Sequence, residues 1–114
     1  MNLEQNIKHL ESFLEFEEDW NLYGAKPYKK SLIDKCIYLL NKITKQPESI
    51  QPTGRQSILF CYSKEDKSIL IFEIHENTVI CCIIPQKDFS KGKEFEIRSL
   101  KEIKEIINEF FKDN

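Results

Sequence analysis

Cysteine and histidine are the residue types in this 114-residue chain best suited to nucleophilic or metal chemistry. The four cysteines form no C-x-x-C pair and lie in apolar segments, whereas a zinc site needs paired ligands about two to four residues apart. The chain contains no G-x-S-x-G, Walker, G-x-G-x-x-G or H-E-x-x-H motif. We therefore expect a non-enzymatic protein without metal or cofactor. Its free thiols are expected to be buried as small hydrophobic groups, at Cys36, Cys61, Cys81 and Cys82.

Residues 52–57, P-T-G-R-Q-S, form the short segment best suited to binding an anion. Gly54 permits a positive φ, and consecutive backbone amides there could cradle a phosphate, while Arg55 adds a forked donor. Thr53, Gly54 and Arg55 are accordingly the predicted contacts for a phosphate-bearing small molecule or nucleotide. The alternative is a turn into the first strand, with Arg55 paired to a carboxylate of the acidic first helix.

An aromatic cluster of Trp20, Tyr23 and Tyr28 lies between the first two predicted helices. Tryptophan and tyrosine are enriched at binding hot spots, and they also anchor loops onto small cores through their large area. We expect Trp20 to be an anchor. As contacts for a protein partner we name Tyr23, Tyr28, Arg55 and Glu73.

The hydrophobic periodicity predicts the elements that position these residues. Helical spacing covers residues 3–18 and a segment from about residues 29–31, and a period of two covers residues 57–62, 68–75, 78–84 and 94–98. In the last of these strands Phe95 and Ile97 are expected to point inward. An S-x-x-E capping box at residues 99–102 starts the final helix. We expect one α+β domain over residues 1–114, with two N-terminal helices, a three- to four-stranded antiparallel meander and a C-terminal helix packed on the sheet.

The predicted strand over residues 78–84 is apolar at successive positions, so both of its faces carry apolar side chains. An antiparallel strand with one face in water should alternate between apolar and polar residues. Three helices cover one face of such a sheet well and the other only in part. The second face is therefore expected to meet a protein partner or a second copy of the chain in a homodimer.

Charge and composition exclude several classes. Seventeen basic and nineteen acidic residues give a net charge of −2, without the basic excess of a nucleic-acid binder. Residues 1–20 carry −5 and residues 21–47 carry +5, which fits either a mutually stabilised helical hairpin or a charged partner. The N-terminus does not resemble a secretory signal, and no apolar run approaches the ~20 residues that span a bilayer. We expect a cytoplasmic protein without membrane contact.

Two motifs in a fixed order resemble a loosely defined group of short bacterial and phage proteins. Residues 20–27 fit W-x-x-x-G-A-x-P, and residues 52–58 fit P-T-G-R-x-S-I. The group tends to carry an acidic residue between the two aromatic residues of the first strand, where this chain has Cys61. Such proteins are often met in mobile defence or toxin–antitoxin neighbourhoods, so the resemblance implies a toxin or defence component as partner.

Together these patterns predict a small protein-binding module, such as an antitoxin, immunity protein or anti-defence inhibitor. The alternative is a binding protein for a phosphate-bearing small molecule or nucleotide at Thr53, Gly54 and Arg55.

Overall fold

Two helices, a five-stranded antiparallel sheet and a final helix follow one another along the chain. The computed structural model describes residues 2–112. The strands are joined in the order β1-β2-β3-β4-β5, so every neighbour in the sheet is also a neighbour in sequence. The helices are α1 (Leu3–Ser12), α2 (Lys30–Lys42) and α3 (Leu100–Phe110). The strands are β1 (Ser49–Pro52), β2 (Ile58–Ser63), β3 (Ile69–Ile74), β4 (Val79–Ile84) and β5 (Lys93–Ile97).

Helix α1 is shorter than its apolar spacing predicts. It starts with a capping box, in which Asn2 Oδ1 accepts from Gln5 N at 2.9 Å and Gln5 Oε1 accepts from Asn2 N at 3.1 Å. It ends at Ser12, and a single 3₁₀ turn continues to Glu15. The predicted end at residue 18 is wrong because residues 15–19 carry four acidic side chains, which oppose the negative end of the helix dipole.

The sheet contains five strands, so the predicted three to four strands are too few. The missed strand is β1, which lies outside the segments where the sequence shows a period of two. Pro52 occupies the last position of β1 and pairs with Ile58. Proline is compatible with a strand at the edge of a sheet, where its missing N–H is not needed for a ladder bond.

All three helices pack on the same face of the sheet. One hydrophobic core joins Leu10 of α1, Ile33 of α2 and Ile107 of α3 to alternate strand residues such as Phe60 and Phe72. The final helix begins as expected at Ser99, whose side chain accepts from Glu102 N at 3.2 Å. The residues of opposite parity in the strands face away from the helices and are mostly half-buried, although Ile84 at the end of β4 is buried.

Phe95 lies outside the hydrophobic core, which the sequence did not predict. Phe95 and Ile97 of β5 both point to the face that the helices cover, as expected, because they pair with Cys81 and Val79. However, Phe95 is 38% exposed whereas Ile97 is buried. Strand β5 is one of the two edge strands, and the core takes in only its last residue, Ile97.

Candidate functional site

Residues 19–25, which we call the connector loop, are held in one conformation by their own polar groups. The carboxylate of Asp19 accepts from Gly24 N at 2.6 Å. The side chain of Asn21 accepts from Tyr23 N at 2.9 Å and from Ala25 N at 3.2 Å. These bonds replace the regular ladder bonds that a loop lacks, so the loop is ordered without being part of a helix or strand.

Left-handed residues turn the tip of the connector loop outward. Asp19, Leu22 and Gly24 have φ values of 62°, 65° and 86°, respectively. As a result the side chains of Leu22 and Tyr23 are 83% and 92% exposed. A left-handed leucine is uncommon and strained, and such strain tends to be kept where it presents a functional group.

The base of the connector loop is fixed by packed aromatic rings. The ring centroid of Trp20 lies 4.6 Å from that of Phe16 and 5.7 Å from that of Tyr28. Trp20 Nε1 also donates to Lys26 O at 2.9 Å. Trp20 is therefore packed against the core, in the anchoring position expected from the sequence.

Residues 53–57, which we call the Arg55 turn, are docked against the residues that follow the connector loop. The hydroxyl of Tyr28 lies 2.5 Å from Thr53 O and 3.0 Å from Ser57 O, and it donates to these carbonyls. The side chain of Gln56 donates to Pro27 O at 2.7 Å. The two motifs that carry the family resemblance thus form one packed unit.

Gly54 belongs to that unit for a reason that the sequence did not indicate. A Cβ atom at this position would lie 2.8 Å from Nδ2 of Asn21, in the connector loop. The expected positive φ is found at Gln56 (56°) and not at Gly54. A glycine leaves room here for the side chain of Asn21, which any larger residue would displace.

Beside the Arg55 turn, Glu73 accepts hydrogen bonds from two polar groups and lies close to a third. Its Oε2 atom lies 2.9 Å from the Arg55 guanidinium, 2.7 Å from Ser57 Oγ and 3.4 Å from His75 Nε2. Burial favours the neutral acid, but the hydrogen bonds from Ser57 and Arg55 and the neighbouring charges outweigh it. The pKa of Glu73 is therefore held below its usual value, and Glu73 is a stable anion at neutral pH.

This cluster has the residue types of a hydrolase relay but not its geometry. A Ser–His–carboxylate relay needs the imidazole between the serine and the carboxylate. Here Ser57 and His75 both contact the same oxygen of Glu73, and Ser57 is fully buried. The arrangement stabilises a charge at the end of β3 and supplies no activated nucleophile.

The structure brings three of the four predicted partner contacts to one region and buries the fourth. Tyr23 is exposed at the loop tip, and Arg55 pairs with Glu73 close by. Tyr28 does not offer its side chain to a partner, because it is only 6% exposed and its ring packs in the core. Burial also raises the pKa of Tyr28 above its ordinary value. Leu22, which the sequence analysis missed, joins Tyr23 at the tip.

The predicted ligand residues Thr53, Gly54 and Arg55 form a turn in which two backbone donors are already engaged. Thr53 N donates to Ser57 O at 3.2 Å, and Arg55 N donates to Thr53 Oγ1 at 3.1 Å. The Arg55 guanidinium donates to Glu73. The turn therefore pairs Arg55 with a carboxylate, as in the alternative interpretation, although that carboxylate is in β3 and not in the first helix.

The cysteines divide into two pairs. Cys36 and Cys81 are fully buried, and burial raises the pKa of each thiol to about 12. Cys61 and Cys82 are only half-buried, on the sheet face opposite the helices, so the expectation that all four are buried is met by two. Within residues 2–112, no group of three or more His, Cys, Asp or Glu residues is arranged to hold a metal ion.

Comparison with known proteins returned no matching family model, curated protein or solved structure. Across the described residues, none of the helices has the length and apolar character needed to cross a membrane. The geometry of the connector loop and the Arg55 turn is therefore the basis on which a function is proposed.

Proposed function

We propose that this chain is a small non-enzymatic protein-binding module whose contact surface is the connector loop together with the Arg55 turn. The observation that carries the proposal is the rigid, hydrogen-bonded loop that holds Leu22 and Tyr23 almost fully in solvent. An exposed leucine beside an exposed tyrosine makes no contribution to the core of the protein. Their retention in a strained loop is accounted for if they bury themselves in a partner.

The loop has the physical properties of a binding hot spot. Tyrosine supplies a large amphipathic surface at a small cost in side-chain entropy, and it is among the residues most enriched at hot spots. Because the loop is already ordered, binding loses little additional conformational freedom, which favours affinity. The 69% exposed side chain of Arg55 adds a cation next to this apolar tip.

The resemblance to proteins of mobile defence and toxin–antitoxin neighbourhoods suggests the kind of partner. On this proposal the chain acts as an antitoxin, immunity protein or anti-defence inhibitor, and its partner is a toxin or a defence component. The partner surface would combine an apolar pocket for Tyr23 with an acidic group for Arg55.

The phosphate-binding alternative has less support from the geometry. An anion would need free donors that converge, but the Arg55 turn uses two of its amides internally and shares its guanidinium with Glu73. A phosphate ligand would have to compete with the carboxylate of Glu73, which is itself a stable anion.

The test is a quantitative affinity capture with three forms of the protein as bait, using lysate of the cells that encode the chain. The wild type is compared with a Leu22→Ser, Tyr23→Ser double variant. The control is Tyr38→Ser, which removes another exposed tyrosine from α2, outside the connector loop. Thermal unfolding monitored by circular dichroism confirms that all three baits are folded.

We expect at least one protein to be enriched by the wild type and by Tyr38→Ser, with a loss of tenfold or more on the loop variant. If every enriched protein is retained by the loop variant, the contact surface is wrong. If no protein is enriched, the proposed function itself is wrong.

A further inference from the structure

A crevice opens between α2 and α3, at the end of the sheet where β4 begins and β5 finishes. Its volume is about 300 Å³. It is lined by Val79 and Ile97, which pair across β4 and β5, and by Leu39 of α2 and Ile103 of α3. All four of these side chains are buried. This space, which we call the α2–α3 crevice, therefore has an apolar interior.

The charged side chains that line the α2–α3 crevice are both cations. They are Lys35 of α2 and Arg98 of the segment that joins β5 to α3, and none of the described residues that line the crevice is acidic. The crevice at the other end of α3, by contrast, is lined by both Lys64 and Glu109, so its charges balance. The α2–α3 crevice is therefore suited to an anion.

Lys35 is held at the α2–α3 crevice by backbone carbonyls and not by a carboxylate. Its Nζ donates to His75 O at 2.6 Å and to Glu76 O at 3.1 Å, and a third contact, to Thr78 O, is 3.5 Å long. Burial lowers the pKa of Lys35 below its ordinary value, because the ammonium has lost part of its hydration. An anion that replaced the long contact to Thr78 would stabilise this ammonium.

Arg98 provides the second cation, and its side chain is exposed. Its backbone N–H donates to Glu102, but within residues 2–112 its guanidinium has neither a hydrogen-bond acceptor nor an ion-pair partner. A guanidinium carries its donors in a planar fork that matches the two oxygens of a carboxylate. Arg98 therefore has the donors that a carboxylate ligand needs.

Three carboxylates near the α2–α3 crevice are held by other groups, and none lies within 4.0 Å of the charged nitrogens of Lys35 or Arg98. They are Glu76, which pairs with Lys29 at 3.6 Å, Glu96, which accepts from the Thr78 hydroxyl at 3.0 Å, and Glu102, which accepts from Arg98 N at 2.8 Å. Side chains alternate along a strand, so Glu96 points to the sheet face opposite that of Ile97. Within the described residues, the two cations of the crevice thus have no ion-pair partner.

We propose that the α2–α3 crevice binds a small monocarboxylate with an apolar body. The carboxylate lies between Lys35 and Arg98, and the apolar body packs on Val79 and Ile97. This proposal is independent of the proposed function, because none of the residues that line the crevice belongs to the connector loop or the Arg55 turn.

The size of the α2–α3 crevice limits the ligand. A water molecule takes about 30 Å³ of the liquid, so the crevice has room for on the order of ten non-hydrogen atoms. Ligand pockets in proteins range from about 300 to 1,000 Å³, which places this one at the small end. Tyr38, which is 54% exposed, also lines the crevice and offers its ring to an aromatic ligand. A nucleotide is too large, whereas a phenyl ring with a short carboxylate chain fits.

The first experiment titrates the ¹⁵N-labelled protein with 3-phenylpropionate and follows the amide signals by NMR. We expect saturable shifts at residues 77–79 and 97–100, with a dissociation constant of about 0.1–1 mM for a ligand of this size. The connector loop, residues 19–25, should not respond. Two further probes separate the two parts of the ligand: 3-phenylpropanol lacks the charge and propionate lacks the ring. Each should bind at least about tenfold more weakly.

The second experiment compares two variants that each remove one arginine. Arg98→Gln should weaken the binding of 3-phenylpropionate about tenfold, whereas Arg55→Gln, outside the α2–α3 crevice, is the matched control and should bind like the wild type. Circular dichroism confirms that both variants are folded. The proposal is overturned if 3-phenylpropionate causes no saturable shift up to about 10 mM, or if the shifts lie outside the crevice. It is also overturned if 3-phenylpropanol or Arg98→Gln gives the wild-type affinity for 3-phenylpropionate. None of these results affects the capture of a partner by the connector loop.

Discussion

Replacing Glu73 with glutamine measures what the charge at the end of β3 contributes to stability. Glutamine keeps the shape of the side chain and can still accept the hydrogen bond from Ser57. The loss is therefore the difference between a charged acceptor, about 1.5–3 kcal/mol, and a neutral one, about 0.5–1.5 kcal/mol. The pair with Arg55 adds at most about 1 kcal/mol, because the arginine side chain is largely exposed. We expect Glu73→Gln to lower the free energy of unfolding by about 1–2 kcal/mol at pH 7.

The pH dependence of this loss follows from the pKa of Glu73. The folded protein holds this pKa below the ordinary value of 4.5, so the stabilisation is present above about pH 4.5 and is lost as the pH falls through the folded-state pKa. Urea unfolding followed by circular dichroism at pH 7, 5 and 3 is the assay. The difference between variant and wild type should shrink toward zero at pH 3. At pH 7 we expect a Tm lower by roughly 4–8 °C.

Arg55→Gln serves as the control, because it removes the exposed cation and leaves the bond between Ser57 and Glu73 intact. It should lower the free energy of unfolding by less than Glu73→Gln does. The prediction is wrong if the free energy of unfolding of Glu73→Gln equals that of the wild type at pH 7. It is also wrong if the loss of stability is as large at pH 3 as at pH 7.

Three further predictions concern buried thiols, the close approach of two loops and the edge strand. The pKa of Cys36 and of Cys81 is about 12 in the folded protein, against an ordinary 9.0. The free energy of unfolding should therefore fall between pH 9 and pH 12 by about 1.4 kcal/mol per pH unit for each thiol, as measured by urea unfolding at alkaline pH. Gly54→Ala should displace the side chain of Asn21 and speed amide exchange in the connector loop at least tenfold, with global stability changed by less than about 1 kcal/mol. Phe95→Lys should change the free energy of unfolding by less than about 0.5 kcal/mol, since no core contact is lost; a larger loss in chemical denaturation would place Phe95 in the core after all.

The sequence predicts the strands whose hydrophobic periodicity is strong and misses the short strand whose periodicity is weak. Strands β2, β3 and β4 have six residues each with a clear period, and their predicted bounds lie within one residue of the structure. Strand β1 has four residues and ends in Pro52, so its period is too short to recognise and its proline is typical of a loop. Its place in the sheet depends on a partner strand that local sequence does not reveal.

The candidate site, like the sheet, could be predicted from the sequence only in part. Tyr23 and Tyr28 are both aromatic residues of one connector, and nothing in their type distinguishes a contact from a core residue. Which tyrosine is exposed depends on the left-handed residues Asp19 and Leu22. The chain turns Tyr23 outward there, whereas Tyr28 packs into the core. A positive φ at a leucine has no sequence signature. The contact between Gly54 and Asn21 also depends on tertiary packing, which links two motifs that are read separately in the sequence.

The two edge strands affect how this protein behaves when it is concentrated. An exposed strand edge can recruit further strands and grow into fibres unless its ends or side chains prevent this. Here β1 is short and closes with Pro52, and β5 carries Lys93, Glu94 and Glu96 along its length. Both edges therefore resist open-ended extension. Fibrillar growth by addition of strands to either edge is disfavoured when the protein is concentrated.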